Sequence, residues 1–323
     1  MPGGTQKEIP FLLSCRAIMN LSYINNLSWK DFFPATSFVT KVEKLVREIW
    51  IPWKHTQIHL DVYQHPKPAP TIIYCHGLSS SGRMMANFAI PLFEKGFNVI
   101  CPDLPGFGLT PLKRGSLNID ELTQALTDIV FYAQKQFGEP CFLTGISLGG
   151  TLSYYAAANG APVKAIACLN LLDMSDNSNH EISRLGTWVK KIKPLIGLAS
   201  RIYPDLSVSL KHFVNPDKLC SESSIVDNFK TNPLVVRSYT LKALNGLLTT
   251  APKISFEKFD LCPVLVLHGS LDALIPEKLT KLNYDKIKGF KKYVGLKNGE
   301  HIPLHAKAHH TYINEVTSWF QSS

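Results

Sequence analysis

"PCFLTGISLGGTLSYYAAANG", residues 140–160, is the stretch from which the rest of the chain can be read. A short apolar run, Cys141-Phe142-Leu143, enters Gly145-x-Ser147-x-Gly149, and the small and apolar residues that follow read as a helix. The three-residue pattern recurs by chance in chains of this size, so its weight comes from having a strand before it and a helix after it. In that setting Ser147 stands on a sharp turn with its hydroxyl exposed. The flanking glycines leave room where a side chain would crowd the turn.

The same rhythm extends in both directions. Short apolar runs read as strands over 58–63, 71–75, 98–101, 141–144, 164–169, 264–267 and 292–295, and amphipathic stretches read as helices over 83–94, 119–136, 148–159, 276–286 and 305–320. The buried runs are nearly continuous in their hydrophobicity, as expected of a mostly parallel sheet covered on both faces. Two regions break the alternation. Before the first strand, Phe38, Val42, Leu45, Val46 and Ile49 make a helical stripe that packs on the domain or lies on a membrane surface. From 174 to 259 the sequence turns to helical patterns rich in large apolar residues, expected to form a lid above the sheet.

Downstream of Ser147, "CPVLVLHGSLDALIP" (262–276) places Asp272 on a loop after a strand, and "KKYVGLKNGEHIPLH" (291–305) places His301 on the next such loop. A serine hydroxyl is a poor nucleophile until an imidazole takes its proton. The imidazole in turn needs a carboxylate to fix its tautomer and stabilise its cation. Ser147, Asp272 and His301 therefore form the candidate catalytic set, in the chain order of hydrolases built on a nucleophile turn. Asp173, at the end of an earlier strand, is the rival acid. His305 is the rival base, and with His309 it makes the competing metal-site reading. His76 and Asp103 read as loop-fixing groups, and Gly106 and Gly108 as turn residues.

With these stretches together, "HGLSSSG", "CPDLPGFGLT", "GISLGG", "HGSLDALIP" and "NGEHIPLH" over 75–305, the chain resembles the α/β-hydrolase superfamily. Within it, "NPLVVRSYTLKALNGLL" (232–248) resembles the lid of monoacylglycerol lipases and lysophospholipases of the serine aminopeptidase-type branch. The resemblance implies an α/β-hydrolase fold and an oxyanion hole built from the backbone N–H groups of Leu78 and Leu148. Ile146 departs from the pattern, standing where this branch often has histidine. The leader before the first strand is also longer than the fold requires.

Composition bounds these expectations. In 323 residues, 45% are hydrophobic and 18% charged, enough for a large buried core. Seven cysteines, with no C-x-x-C pair and mostly in apolar runs, favour free thiols in a reducing compartment. Leu12-Leu13-Ser14-Cys15 lacks the charged start and apolar core of an export signal, and no run is apolar enough to span a membrane, so a cytoplasmic location is expected, with a membrane-peripheral one as the alternative. The net charge of +9 is dispersed, and no nucleic-acid motif accompanies it. It reads as a solvated basic surface, with contact to an anionic membrane as the sharper alternative.

The expected organisation is an extension over 1–48, a hydrolase core over 49–173 and 260–323, and a helical lid over 174–259. The expected function is cleavage of a carboxylic ester of lipid type through an acyl-enzyme, without a cofactor or metal; Trp188, Ile202, Phe213 and Leu247 are the candidate acyl-pocket residues. Thioester or peptide cleavage, acyl transfer and non-catalytic binding are the alternatives.

Overall fold

The computed structural model describes residues 29–33, 35–178, 188–210 and 215–323. Its centre is an eight-stranded sheet in the order β1-β2-β4-β3-β5-β6-β9-β10. The strands are β1 (Val46–Trp53), β2 (Thr56–Tyr63), β3 (Thr71–Cys75), β4 (Asn98–Asp103), β5 (Cys141–Ile146), β6 (Ile166–Leu169), β9 (Val264–Gly269) and β10 (Lys291–Leu296). From β4 to β10 every pairing is parallel, while β2 runs antiparallel to both β1 and β4. The parallel strands β3, β5 and β9 are buried at every residue, which is why their sequences are unbroken apolar runs.

Helices cover both faces. On one side, α3 (Ile119–Phe137), α4 (Leu148–Ala158) and α8 (Glu277–Lys286) pack over an apolar layer that includes Leu126, Leu152 and Leu279. On the other, α1 (Thr36–Leu45), α2 (Ala86–Glu94) and α9 (Ala306–Ser322) close a second layer around Val42, Phe88 and Tyr312. Helix α3 starts at a reciprocal cap, in which Asn118 accepts the Glu121 N–H and Glu121 accepts the Asn118 N–H.

The stretch from Phe38 to Ile49, expected to be one helical stripe, is two elements. Helix α1 ends at Leu45, and Val46 opens strand β1, which turns through Lys54 and His55 into β2. Residues 42, 45, 46 and 49 satisfy helical spacing, but Ile49, Ile51 and Trp53 alternate with the exposed Glu48, Trp50 and Pro52 and face the core as a strand does. Pro52 is tolerated because β1 is the sheet edge.

Between β6 and β9 the chain inserts α5 (Trp188–Ile202), α6 (Ser223–Thr231), α7 (Leu241–Thr249) and a small antiparallel pair, β7 (Ser207–Ser209) with β8 (Ser238–Thr240). Helix α5 packs on α7 and buries Ile196, leaving Trp188, Leu195, Leu198 and Ile202 exposed. The cysteines of the described residues are free and buried. Cys15 and the run before it lie outside those residues. No described helix is long and apolar enough to cross a membrane.

At the other end of the sheet an ionic cluster links the leader to the core. His59 on β2 lies 2.9 Å from Asp103 and 3.2 Å from Glu48, and Arg83 lies 2.6 Å from Glu48 and 3.6 Å from Asp61. The Arg83 guanidinium stacks over Trp29 at 4.4 Å, so the leader covers the cluster. Burial alone would lower the His59 pKa, but hydrogen bonds to Asp103 and Glu48 and the nearby Asp61 carboxylate outweigh it and raise it to about 10.

An imidazole raised in this way stabilises the fold fully below its unfolded pKa of about 6.5 and loses that contribution as pH climbs through the folded value. Asp61, raised by burial to about 6, titrates below that window. Stability measured by urea unfolding should fall between pH 6.5 and pH 10, by an amount on the order of a few kcal/mol traceable to His59. The His59→Gln variant should show a flatter profile over the same range. Parallel profiles would mean that His59 is not held as a cation.

Candidate active site

Five consecutive strands of the sheet, β3, β5, β6, β9 and β10, deliver their following loops to one edge, the carboxyl edge where open α/β sheets bind ligands. Ser147 follows β5 and immediately precedes α4. Its φ of 56° and ψ of −122° lie outside the regions comfortable for a non-glycine residue. The Ser147 N–H donates to the Leu169 carbonyl of β6, and its carbonyl accepts the Thr151 N–H that begins the helix. A Cβ at Gly149 would sit 2.2 Å from the Cys75 carbonyl oxygen, and one at Gly145 would sit 2.4 Å from the Gly149 carbonyl carbon. Both glycines are therefore dictated by backbone packed on backbone.

Asp272 follows β9 and its side chain is fully buried. Its Oδ1 accepts the N–H groups of Leu274 and Ile275, each at 2.8 Å, and its Oδ2 lies 2.9 Å from His301 Nδ1. Burial pushes the Asp272 pKa upward, but the facing His301 ring and the two amides overcome this and hold it below the ordinary carboxylate range. His301, after β10, is itself buried. Bonding at Nδ1 leaves its Nε2 as the free ring position.

Ser147 and His301 line the same cavity, of about 210 Å³. No hydrogen bond joins them among the described residues; such contacts are often long before substrate arrives. Leu78 and Leu148 line the cavity too, and neither backbone N–H has a backbone acceptor among the described residues. At the start of α4 the Leu148 N–H is one of the helix's unpaired donors, where the dipole favours negative charge. The remaining wall is mostly apolar, with Ser80 and Asn87 as its polar members: Met84, Met85, Leu172 and Leu274 come from the core, and Ile225, Phe229, Leu244, Leu247 and Leu248 from the insertion. No charged side chain lines it among the described residues apart from any charge His301 carries.

Of the expected pocket residues, Leu247 lines the cavity and Phe213 lies outside the described residues. Trp188 and Ile202 are corrected: they are 64% and 60% exposed on the outer face of α5. That helix has one broad apolar face, and periodicity alone does not say which edge of it turns inward. The rival residues lie outside the cavity lining. Asp173 accepts from Tyr155 and Ser175, His305 sits at the cap of α9, and His309 lies 2.9 Å from the Asn87 carbonyl. His76 accepts the Leu104 N–H, and Asp103 accepts the N–H groups of Gly82 and Leu109, as expected of loop-fixing groups.

Sequence reasoning missed Asn170. It follows β6, the strand between those that carry Ser147 and Asp272, and has a left-handed φ of 62°. Its Nδ2 donates to Asp272 Oδ2, the oxygen that also faces His301. A lone asparagine after "ACL" carries no motif; only the strand order reveals it. Glu48, His59 and Asp61 have donor atoms within 4.8 Å of one another, spacing that could hold a metal ion. The Arg83 guanidinium already lies against two of the three, supplying the positive charge a metal would bring.

Known proteins resemble this chain in sequence and in fold. The serine aminopeptidase S33 profile matches residues 66–307. An uncharacterized 31.7 kDa protein of the traX-finO intergenic region of Escherichia coli is 25% identical over 265 residues, covering 78% of this chain and 90% of that one. Two solved structures share the fold. A monoacylglycerol lipase of Paleococcus ferrophilus superposes with a TM-score of 0.66 at 21% identity, over 82% of this chain and 98% of that one. A soluble variant of the Saccharomyces cerevisiae monoglyceride lipase, in complex with a substrate analog, gives 0.70 at 14% identity, over 86% and 95%. The chain is thus an α/β-hydrolase and belongs to the serine aminopeptidase S33 family.

Proposed function

We propose that this protein is a serine hydrolase that cleaves carboxylic esters of lipid type, such as a monoacylglycerol or a lysophospholipid, through an acyl-enzyme. The observation that carries this reading is a serine on a strained turn, in one apolar cavity with a histidine whose far nitrogen is bonded to a buried carboxylate.

The chemistry follows from the placement. Ser147 Oγ attacks the ester carbonyl while His301 Nε2 takes the hydroxyl proton, and Asp272 stabilises the imidazolium formed. The oxyanion is held by the N–H groups of Leu78 and Leu148, each such donor contributing on the order of 3 kcal/mol to the transition state. Collapse expels the alcohol, which takes the proton from His301. Water then attacks the acyl-enzyme with His301 again as base, releasing the acid and restoring Ser147. Asn170 shares the task of orienting Asp272.

The apolar wall supports an acyl chain as the bound group. A peptidase acting at a free amino terminus needs a carboxylate to meet the ammonium group, and among the described residues none lines the cavity, Asp272 being buried behind His301. The insertion over 174–259 acts as a lid. Its outer face joins Trp188, Leu195, Leu198 and Ile202 to Lys190, Lys191 and Lys193, a combination suited to an anionic membrane surface.

A fluorophosphonate probe should label the wild type and leave Ser147→Ala unlabelled; equal labelling of both would contradict the assignment. Asp272→Asn should reduce kcat by about 10⁴-fold. Turnover of p-nitrophenyl esters should hold or rise as the acyl chain lengthens past about eight carbons, given the apolar cavity. A steady decline, or faster cleavage of aminoacyl amides than of esters, would count against a lipid ester. In vesicle sedimentation, wild type should bind phosphatidylglycerol vesicles better than phosphatidylcholine ones. The Trp188→Glu and Leu195→Glu double variant should lose that binding while still hydrolysing a short soluble ester; binding unaffected by the substitutions would exclude this face.

A further inference from the structure

The loop that carries Leu78 is gripped from outside the core. Ser80 N–H donates to the Gly77 carbonyl at 3.2 Å, closing a four-residue turn with Leu78 and Ser79 at its centre. Ser79 has a φ of 65°, a left-handed value normally left to glycine at the third position of a type II turn. The residue is fully buried, and each of its polar groups is met by the insertion. Its N–H donates to the Tyr239 hydroxyl at 3.1 Å, and its Oγ lies 3.0 Å from the same hydroxyl, where either group can donate. Its carbonyl accepts the Val236 N–H at 3.3 Å.

A serine at this place prefers a right-handed backbone, which the turn would reach by rotating the Leu78–Ser79 peptide. That rotation breaks the bond from Ser79 N–H to Tyr239. Leu78 is the corner shared by the rotating peptide and the one that carries the oxyanion donor, so the donor's position depends on the same turn. Tyr239 is itself well anchored. It is buried, its ring packs near Phe107, and burial raises its pKa further above the usual tyrosine value, so it remains a protonated hydroxyl. The neighbouring Thr240 N–H donates to the Gly115 carbonyl, and Arg114 holds the Leu234 carbonyl.

We propose that Tyr239 is a positioning residue for the oxyanion-binding loop: its hydroxyl holds the Gly77–Ser80 turn in its strained form, so the site is complete only while the insertion is docked. The proposal rests on the hydrolase reading above and adds a role for the insertion beyond covering the cavity.

The test is the second-order rate of fluorophosphonate labelling, which uses the oxyanion site but no particular substrate. Tyr239→Phe should label about ten- to a hundredfold more slowly than wild type, less than the about hundred- to thousandfold effect of deleting an oxyanion donor outright. On a short soluble ester it should lose kcat with KM little changed. Adding Ser79→Gly to Tyr239→Phe should restore most of the rate, because glycine adopts the left-handed turn unaided. A general packing defect would not be rescued in this way. Labelling of Tyr239→Phe at the wild-type rate, or a loss that Ser79→Gly leaves unchanged, would overturn this inference alone. Failure of the wild type to label would overturn the hydrolase reading and this inference with it.

Discussion

The turn at Ser147 is held by backbone meeting backbone. Strand β5 and helix α4 approach the end of β3 so closely that neither Gly145 nor Gly149 has space for a single extra carbon beside the Cys75 carbonyl. Between them Ser147 is left with a strained conformation that a free chain would abandon, costing on the order of 1–3 kcal/mol. The surrounding sheet supplies the restraint, since the Ser147 N–H is tied to Leu169 on β6 and α4 is buried along its length. Ser147 and Leu148, the first residue of α4, both line the cavity.

The other groups reach that space because of strand order. Neighbouring parallel strands end at the same edge, so the loops after β3, β5, β6, β9 and β10 meet although they are separated by more than two hundred residues of chain. Asp272 and His301 are then fixed by bonds that leave only one ring nitrogen available. The insertion supplies much of the apolar wall and, through Tyr239, bonds to the turn that carries Leu78. The leader makes an analogous contribution on the other side of that loop. Trp29 stacks on Arg83, whose charge neighbours the Asp61 and Glu48 carboxylates, and Asp103 joins that cluster to the Gly82 N–H.

What could be read from residues alone follows from how local each signal is. The buried strands are unbroken apolar runs, and the G-x-S-x-G turn, Asp272 and His301 each lie just past one, so their chain order is informative. The edge strand β1 escaped because Val42, Leu45, Val46 and Ile49 obey helical spacing across a boundary that only pairing with β2 reveals. Helix α5 has one broad apolar face, and packing on α7 decides which edge of it is buried. Asn170 and Tyr239 had no local signature at all. Each is defined by a partner about one hundred residues or more away, Asp272 for one and Ser79 for the other.

The most direct measurement is a crystal structure of the protein after reaction with an alkyl fluorophosphonate. The account predicts phosphorus bonded to Ser147 Oγ, with the phosphoryl oxygen about 2.7–3.1 Å from the backbone nitrogens of Leu78 and Leu148 and the alkyl group in the apolar cavity. An adduct on another residue, or a phosphoryl oxygen turned away from both amides, would contradict it.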